Sequence, residues 1–154
     1  MVPQPFEQII SLKSWSRGDE KAPHKPLLIL YALGHWKKSR TEWISFAEID
    51  KDLGLLLAQF GPSRQVYHTE YPFWRLQNDG LWRVRAESQL DVTASTDAKR
   101  SELLIKKAHG ALAVEVLEFI KGRADGLNQI VDWLLNEYFQ PSAHAHIRSA
   151  VGLN

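Results

Sequence analysis

The sequence predicts a mainly helical α+β domain, compact and winged-helix-like, with one small β-hairpin. Three observations point that way. Ser45-Phe46-Ala47-Glu48 has the form of a capping box, and Phe46, Ile49, Leu53, Leu56 and Phe60 follow it at helical spacing. The apolar run from Leu27 to Leu33 opens between Pro23 and Pro26 and closes at Gly34. Two aromatic-rich segments flank Asn78-Asp79-Gly80.

In chain order, Phe6, Ile9, Ile10 and Leu12 have the spacing of a short first helix. Proline is tolerated in a first turn, where its missing N–H has no intrahelical partner, and glycine is favoured after a last turn. A buried helix is therefore predicted from about Lys25 to Lys38, with Pro-His-Lys-Pro at its N-terminus. The capped helix that follows stops at Gly61-Pro62. Tyr71 to Gln77 and Leu81 to Val84 then read as the arms of the hairpin around the glycine turn. On such a strand Phe73 and Trp74 point to opposite faces, so at least one belongs to the core. Leu112, Val116, Phe119 and Ile120 mark a further helix, and Leu127, Ile130, Val131, Leu134, Leu135 and Tyr138 another. A last short helix is expected between Ser142 and Leu153. With no linker-like tract and no repeat, a single domain over residues 1–154 is expected.

The 154 residues include 44% hydrophobic and 24% charged side chains, enough to hide about 70% of the unfolded surface without cross-links. Zero cysteines exclude disulfides, thiolate zinc sites, iron–sulfur clusters and cysteine nucleophiles from this stretch of chain. Met1 to Leu12 lacks the pattern of a signal peptide, and no apolar run approaches the roughly 18 residues of a membrane span. A soluble, cytoplasmic protein with no membrane partner is expected. The net charge of +1 hides an uneven distribution: +4 over residues 1–40, −3 over 41–60, +2 over 61–85 and −1 in each of 86–115 and 116–154. A local basic face for nucleic acid and an ordinary mixed surface both fit that pattern.

No catalytic constellation stands out, and no catalytic residue, cofactor or metal is assigned. His144-Ala145-His146 has metal-like spacing only if extended, and it falls where a helix is expected. Nucleotide-binding glycine loops, a nucleophile elbow and a zincin motif are absent. A metal-dependent nuclease built from scattered carboxylates with His144 or His146 stays open. So does a winged-helix regulator of unmodified DNA. The informative feature is basic residues among aromatics and prolines. Arg17, Lys21, His24 and Lys25 lie before or at a helix N-terminus, where free N–H groups attract anions. Tyr67, His68, Tyr71, Pro72, Phe73, Trp74 and Arg75 place flat apolar surfaces beside donors, as nucleic-acid sites often do.

Four segments carry a resemblance: Ala22-Pro23-His24-Lys25-Pro26 with the apolar run to Gly34, Phe60-Gly61-Pro62, Glu70 through Trp82, and Arg100-Ser101-Glu102-Leu103. Their order and spacing, through to Ala150-Val151-Gly152-Leu153, resemble the sulfur-binding domain of phosphorothioate-dependent restriction endonucleases of the McrA-like, HNH type. That family reads DNA in which sulfur replaces a non-bridging phosphate oxygen, and in its larger members an HNH nuclease domain does the cutting. The resemblance implies a binder of phosphorothioate-modified double-stranded DNA that is not itself an enzyme. No nuclease domain is expected in this chain, and a separate nuclease domain or protein is the implied effector.

Carried over by residue, the resemblance makes Tyr71 and Pro72 walls of the sulfur pocket, with the aliphatic stem of Lys25 closing it and Arg75 beside it. Arg17, Lys25, Arg100 and Ser101 become phosphate contacts, and His24, Tyr67 and His68 contact bases. The sequence departs from the family where Lys25 replaces a frequent arginine and where Arg75 stands near the place of a small side chain. Sulfur is more polarisable than oxygen and a poorer hydrogen-bond acceptor, so a pocket of proline, tyrosine and lysine methylenes suits it. A phosphate oxygen placed there gives up hydration worth about 1–3 kcal/mol, or roughly 5- to 150-fold in affinity.

Overall fold

The computed structural model describes residues 16–17, 20–92 and 96–154, with the backbone alone at 16, 17, 20 and 21. A central helix, α1 (His24–Ser39), organises the rest. Every residue from Pro26 to Gly34 in it is buried, and nine consecutive buried residues on a helix mean burial on all sides. Its N-terminus follows a two-strand antiparallel pair, β1 (Ser16–Arg17) and β2 (Glu20–Lys21). Its C-terminus turns at Arg40, which adopts φ 61° and donates its N–H to the Trp36 carbonyl.

Strand β3 (Ile44–Ser45) leads into α2 (Phe46–Phe60), where the Ser45 hydroxyl accepts from the Glu48 N–H at 3.2 Å. The sequence-predicted cap is thus present, and Phe46, Ile49, Leu53 and Leu56 face the core. After α3 (Glu70–Arg75), a 3-10 turn (Leu76–Asp79) and β4 (Trp82–Arg85) come α4 (Arg100–Ile105), β5 (His109–Leu112), α5 (Val114–Lys121), α6 (Gly126–Tyr138) and α7 (Pro141–Val151). The described residues thus hold seven α-helices. Their larger sheet is antiparallel, in the order β3-β5-β4. Helices α1, α2, α3, α6 and α7 and strand β5 all meet around α1.

Two close approaches fix this packing. A Cβ on Gly34 would lie 1.8 Å from the Val151 carbonyl oxygen, so only glycine lets the end of α7 lie against α1. A Cβ on Gly110 would lie 2.2 Å from the Trp82 ring and 2.8 Å from Phe73. Phe73 therefore wedges between the sheet and α2, with its ring 4.8 Å from Phe46 and 6.0 Å from Trp82.

The predicted hairpin does not form. Residues 71–77 are helical rather than extended, and β4 pairs with β5 (Trp82↔Leu112, Arg83↔Ala111, Val84↔Gly110, Arg85↔His109) rather than with its sequence neighbour. Two local facts explain the difference. Pro72 would remove a ladder donor from a strand, yet in the first turn of a helix its missing N–H is harmless. Phe73 and Leu76, both fully buried, are three apart and share a helix face, a period that outweighs the β-propensity of the aromatics. Leu112, expected on a helix, ends β5 instead, and α5 begins at Val114. The helix expected over Phe6 to Leu12 lies outside the described residues. No described helix is long and apolar enough to cross a membrane.

Candidate functional site

The start of α1, the loop after α2 and the exposed side of α3 converge on a pocket of about 330 Å³. Ala22, His24 and Lys25 come from the entry to α1; Arg64, Val66, Tyr67 and His68 come from the loop; Tyr71, Pro72 and Arg75 come from α3. None of these residues is acidic. Seven of the ten residues expected to bind sulfur, phosphate or bases therefore stand around one cavity or at its rim: His24, Lys25, Tyr67, His68, Tyr71, Pro72 and Arg75.

Two basic residues of the pocket, Lys25 and Arg75, are held from behind. Lys25, in the first turn of α1, bonds Asp79 at 2.6 Å, and the Asp79 carboxylate is buried. A cation at a helix N-terminus is opposed by the dipole, and Asp79, brought in by the 3-10 turn, offsets that. Arg75 forks onto Asp97 at 3.0 and 2.7 Å. That hydrogen-bonded pairing raises the Arg75 pKa and holds the Asp97 carboxyl below its ordinary value. The Arg75 guanidinium also lies over the Tyr71 ring at 4.5 Å. The His68 ring stacks on Tyr71 at 4.7 Å with 14° between planes. Tyr71 is thus an oriented flat surface at the mouth while buried Pro72 forms part of the wall.

Burial, helped by the charge of Arg64, lowers the His24 pKa. The ring is then neutral near pH 7 and offers one donor and one acceptor, which suits a base edge. The Tyr67 hydroxyl donates to the Pro62 carbonyl at 3.0 Å and accepts from the Arg64 N–H at 3.2 Å. Tyr67 therefore pins the loop, and its hydroxyl is engaged there.

Arg100 and Ser101 do not line the pocket. Both sit exposed in the first turn of α4. Arg100 forks onto Asp50, which also accepts from the Thr69 hydroxyl at 2.5 Å, and Thr69 immediately precedes α3. Burial, the largest single effect, pushes the Asp50 carboxyl up, but the Arg100 and Thr69 hydrogen bonds together outweigh it and hold the pKa down. Arg100 is therefore coupled to the pocket helix through one carboxylate. The side chains of Arg17 and Lys21 lie outside the described residues.

Phe73 is a core residue with no exposure. His144 and His146 lie two apart on α7, about 200° around the helix, and His144 Nε2 is 3.0 Å from the Phe139 carbonyl. The described residues contain no cluster of metal-ligating side chains. Sequence reasoning missed Ala22, Arg64 and Val66, and the anchors Asp50, Asp79 and Asp97. For Arg64 a signal existed, since it is a cation just past the Gly61-Pro62 stop.

Comparison with known proteins places this geometry in context. The family model described as "ScoMcrA-like, DNA sulfur-binding domain" matches residues 4–154. No curated protein matches. Among solved structures, the fold is similar to the sulfur binding domain of SprMcrA complexed with phosphorothioated DNA, at 21% identity over 96% of this chain and 91% of that one, TM-score 0.79. It is equally similar to the sulfur binding domain of ScoMcrA complexed with phosphorothioated DNA, at 21% identity, 96% and 94% coverage, and TM-score 0.81. The Type IV phosphorothioation-dependent restriction endonuclease ScoMcrA matches at 20% identity and TM-score 0.77, with 95% of this chain covering 31% of that one.

Proposed function

Because this chain belongs to the ScoMcrA-like DNA sulfur-binding domain family, we propose that it reads phosphorothioate-modified duplex DNA by seating the sulfur between the start of α1 and α3. The observation that carries this reading is a pocket without acidic lining, walled by Pro72, Tyr71 and Val66 and flanked by Lys25, Arg64 and Arg75. Such a site attracts a phosphodiester and then offers its non-bridging atom an apolar contact.

Lys25 and Arg75 have their charged ends bonded to Asp79 and Asp97. What they present to an occupant is largely methylene stem and guanidinium face, which serve sulfur better than a hydrated oxygen. Ala22 supplies a small wall residue. Arg64, Arg100, Ser101 and Arg17 contribute backbone attraction, and His24 and His68, with the loop held by Tyr67, set the preference for flanking bases. Residues 1–154 act as one binding unit, and cleavage is the work of another domain or protein.

The test is an anisotropy titration at fixed salt of a short duplex carrying one Rp phosphorothioate against its unmodified twin. At least tenfold tighter binding of the modified duplex is expected. Equal binding would instead favour a winged-helix-type reader of unmodified DNA, and magnesium-dependent cleavage by the purified chain would favour a nuclease.

A further inference from the structure

The end of the molecule remote from this pocket carries a second, wider hollow. From Lys25 to Arg40 is about 22 Å at 1.5 Å per residue. Since α1 is buried on all sides from Pro26 to Gly34, it runs through the core and its two ends surface on opposite sides. At the far end an open hollow of about 630 Å³ receives Lys37 and Arg40 from the end of α1, Lys121 from the end of α5, and Arg123 from the α5–α6 turn. All four are exposed. Among the described residues, none of the four is ion-paired with a carboxylate. The one carboxylate at the hollow, Glu42, is engaged by Arg83 at 2.7 Å.

The cations are laid on aromatic rings. Arg40 stands over Trp36 at 4.3 Å and Arg123 over Phe119 at 4.4 Å. Beyond Glu42 the surface continues with Arg83 and Arg85 over Trp43 at 4.9 and 4.1 Å. Trp36 and Phe119 are themselves buried, so these rings hold the guanidinium groups in place and offer no stacking face of their own. A helix C-terminus attracts cations by its dipole, and that accounts for Lys37 in the last turn of α1 and for Lys121 in the last turn of α5. It does not account for the convergence of the two helix ends, with Arg40 and Arg123, on one hollow.

We propose that this hollow binds the phosphodiester backbone of a second DNA segment, so that the domain bridges two duplexes, one at each end of α1. The choice of DNA over an acidic protein rests on the reading given above for the first pocket. The test immobilises a short duplex with one Rp phosphorothioate, loads the domain, and offers a fluorescent unmodified duplex. The wild-type domain is expected to retain the second duplex. Lys121→Gln/Arg123→Gln is expected to load equally and to retain at least tenfold less. Removing two phosphate contacts also lowers the slope of log affinity against log salt for plain duplex by about 1.8. Loading without capture of the second duplex, or equal capture by the variant, overturns the proposal. Capture of a poly-glutamate peptide there in place of DNA does the same. Failure to load counts against the sulfur reading alone, and the salt slopes on plain duplex then decide the second site by themselves.

Discussion

Replacing Pro72 with alanine separates sulfur contact from general DNA attraction. Pro72 is buried, lines the pocket and sits in the first turn of α3. The substitution removes two ring methylenes and leaves the helix intact, since alanine is a better helix former. At about 0.8 kcal/mol per methylene the lost apolar contact is worth up to about 1.6 kcal/mol, or roughly 15-fold in affinity. On the proposed reading that loss applies to sulfur seated against the ring, and not to a plain phosphate held from outside. The fold itself loses about 1–2 kcal/mol, through a smaller wall and a more flexible unfolded chain. Anisotropy titrations of modified and plain duplex at one salt concentration, with a thermal melt of each protein, measure all three quantities. Pro72→Ala is expected to weaken modified-duplex binding about 5- to 15-fold and to leave plain-duplex binding within about twofold. Equal losses on both duplexes would refute the reasoning and reduce Pro72 to a support of the fold.

Asp97→Asn releases the Arg75 guanidinium, which then competes for ordinary phosphate. Plain duplex is expected to bind more tightly and the modified-to-plain ratio to fall, while stability drops by no more than about 1 kcal/mol because the pair is partly exposed; the same titrations and a melt check both. Gly34→Ala drives a methyl into the Val151 backbone, and a loss of at least about 3 kcal/mol is expected, at or beyond the usual range of overpacking, because a main-chain oxygen cannot swing away; denaturant unfolding measures it. Stability is expected to fall with acidity in two windows. The His24 pKa is lowered, so the unfolded chain binds the proton first and stability falls as pH drops below about 6.5. The Asp50 and Asp97 pKa values are also lowered, so their contribution is complete above about pH 4 and is lost as pH falls further. Melting temperatures from pH 7.5 to 3 follow both windows, and His24→Gln should remove only the upper one.

The helices were legible where sequence carried their ends. Pro23, Pro26 and Gly34 announced α1, and the Ser45 cap with Gly61-Pro62 bounded α2. The segment after Tyr71 was misread because aromatic content outweighed a period of three set by Phe73 and Leu76, and because the true partner of β4 lies at His109–Leu112, a pairing no local pattern reveals. Most of the candidate site was legible through resemblance rather than chemistry: Tyr71, Pro72, Lys25 and His24 stand together around the pocket. Their anchors were not. Asp79, Asp97 and Asp50 read as ordinary surface carboxylates, and only the folded chain brings them to Lys25, Arg75 and Arg100.

The location of the sulfur itself can be measured directly. The chain contains no cysteine and a single methionine, Met1, so in crystals of the domain with selenomethionine at that position and a duplex carrying one Rp phosphorothioate, an anomalous sulfur signal can come only from the DNA. A peak in van der Waals contact with the Pro72 ring and the Tyr71 face is the expected result. A sulfur peak in solvent or against another part of the surface, with the duplex bound, would contradict the assignment of this pocket.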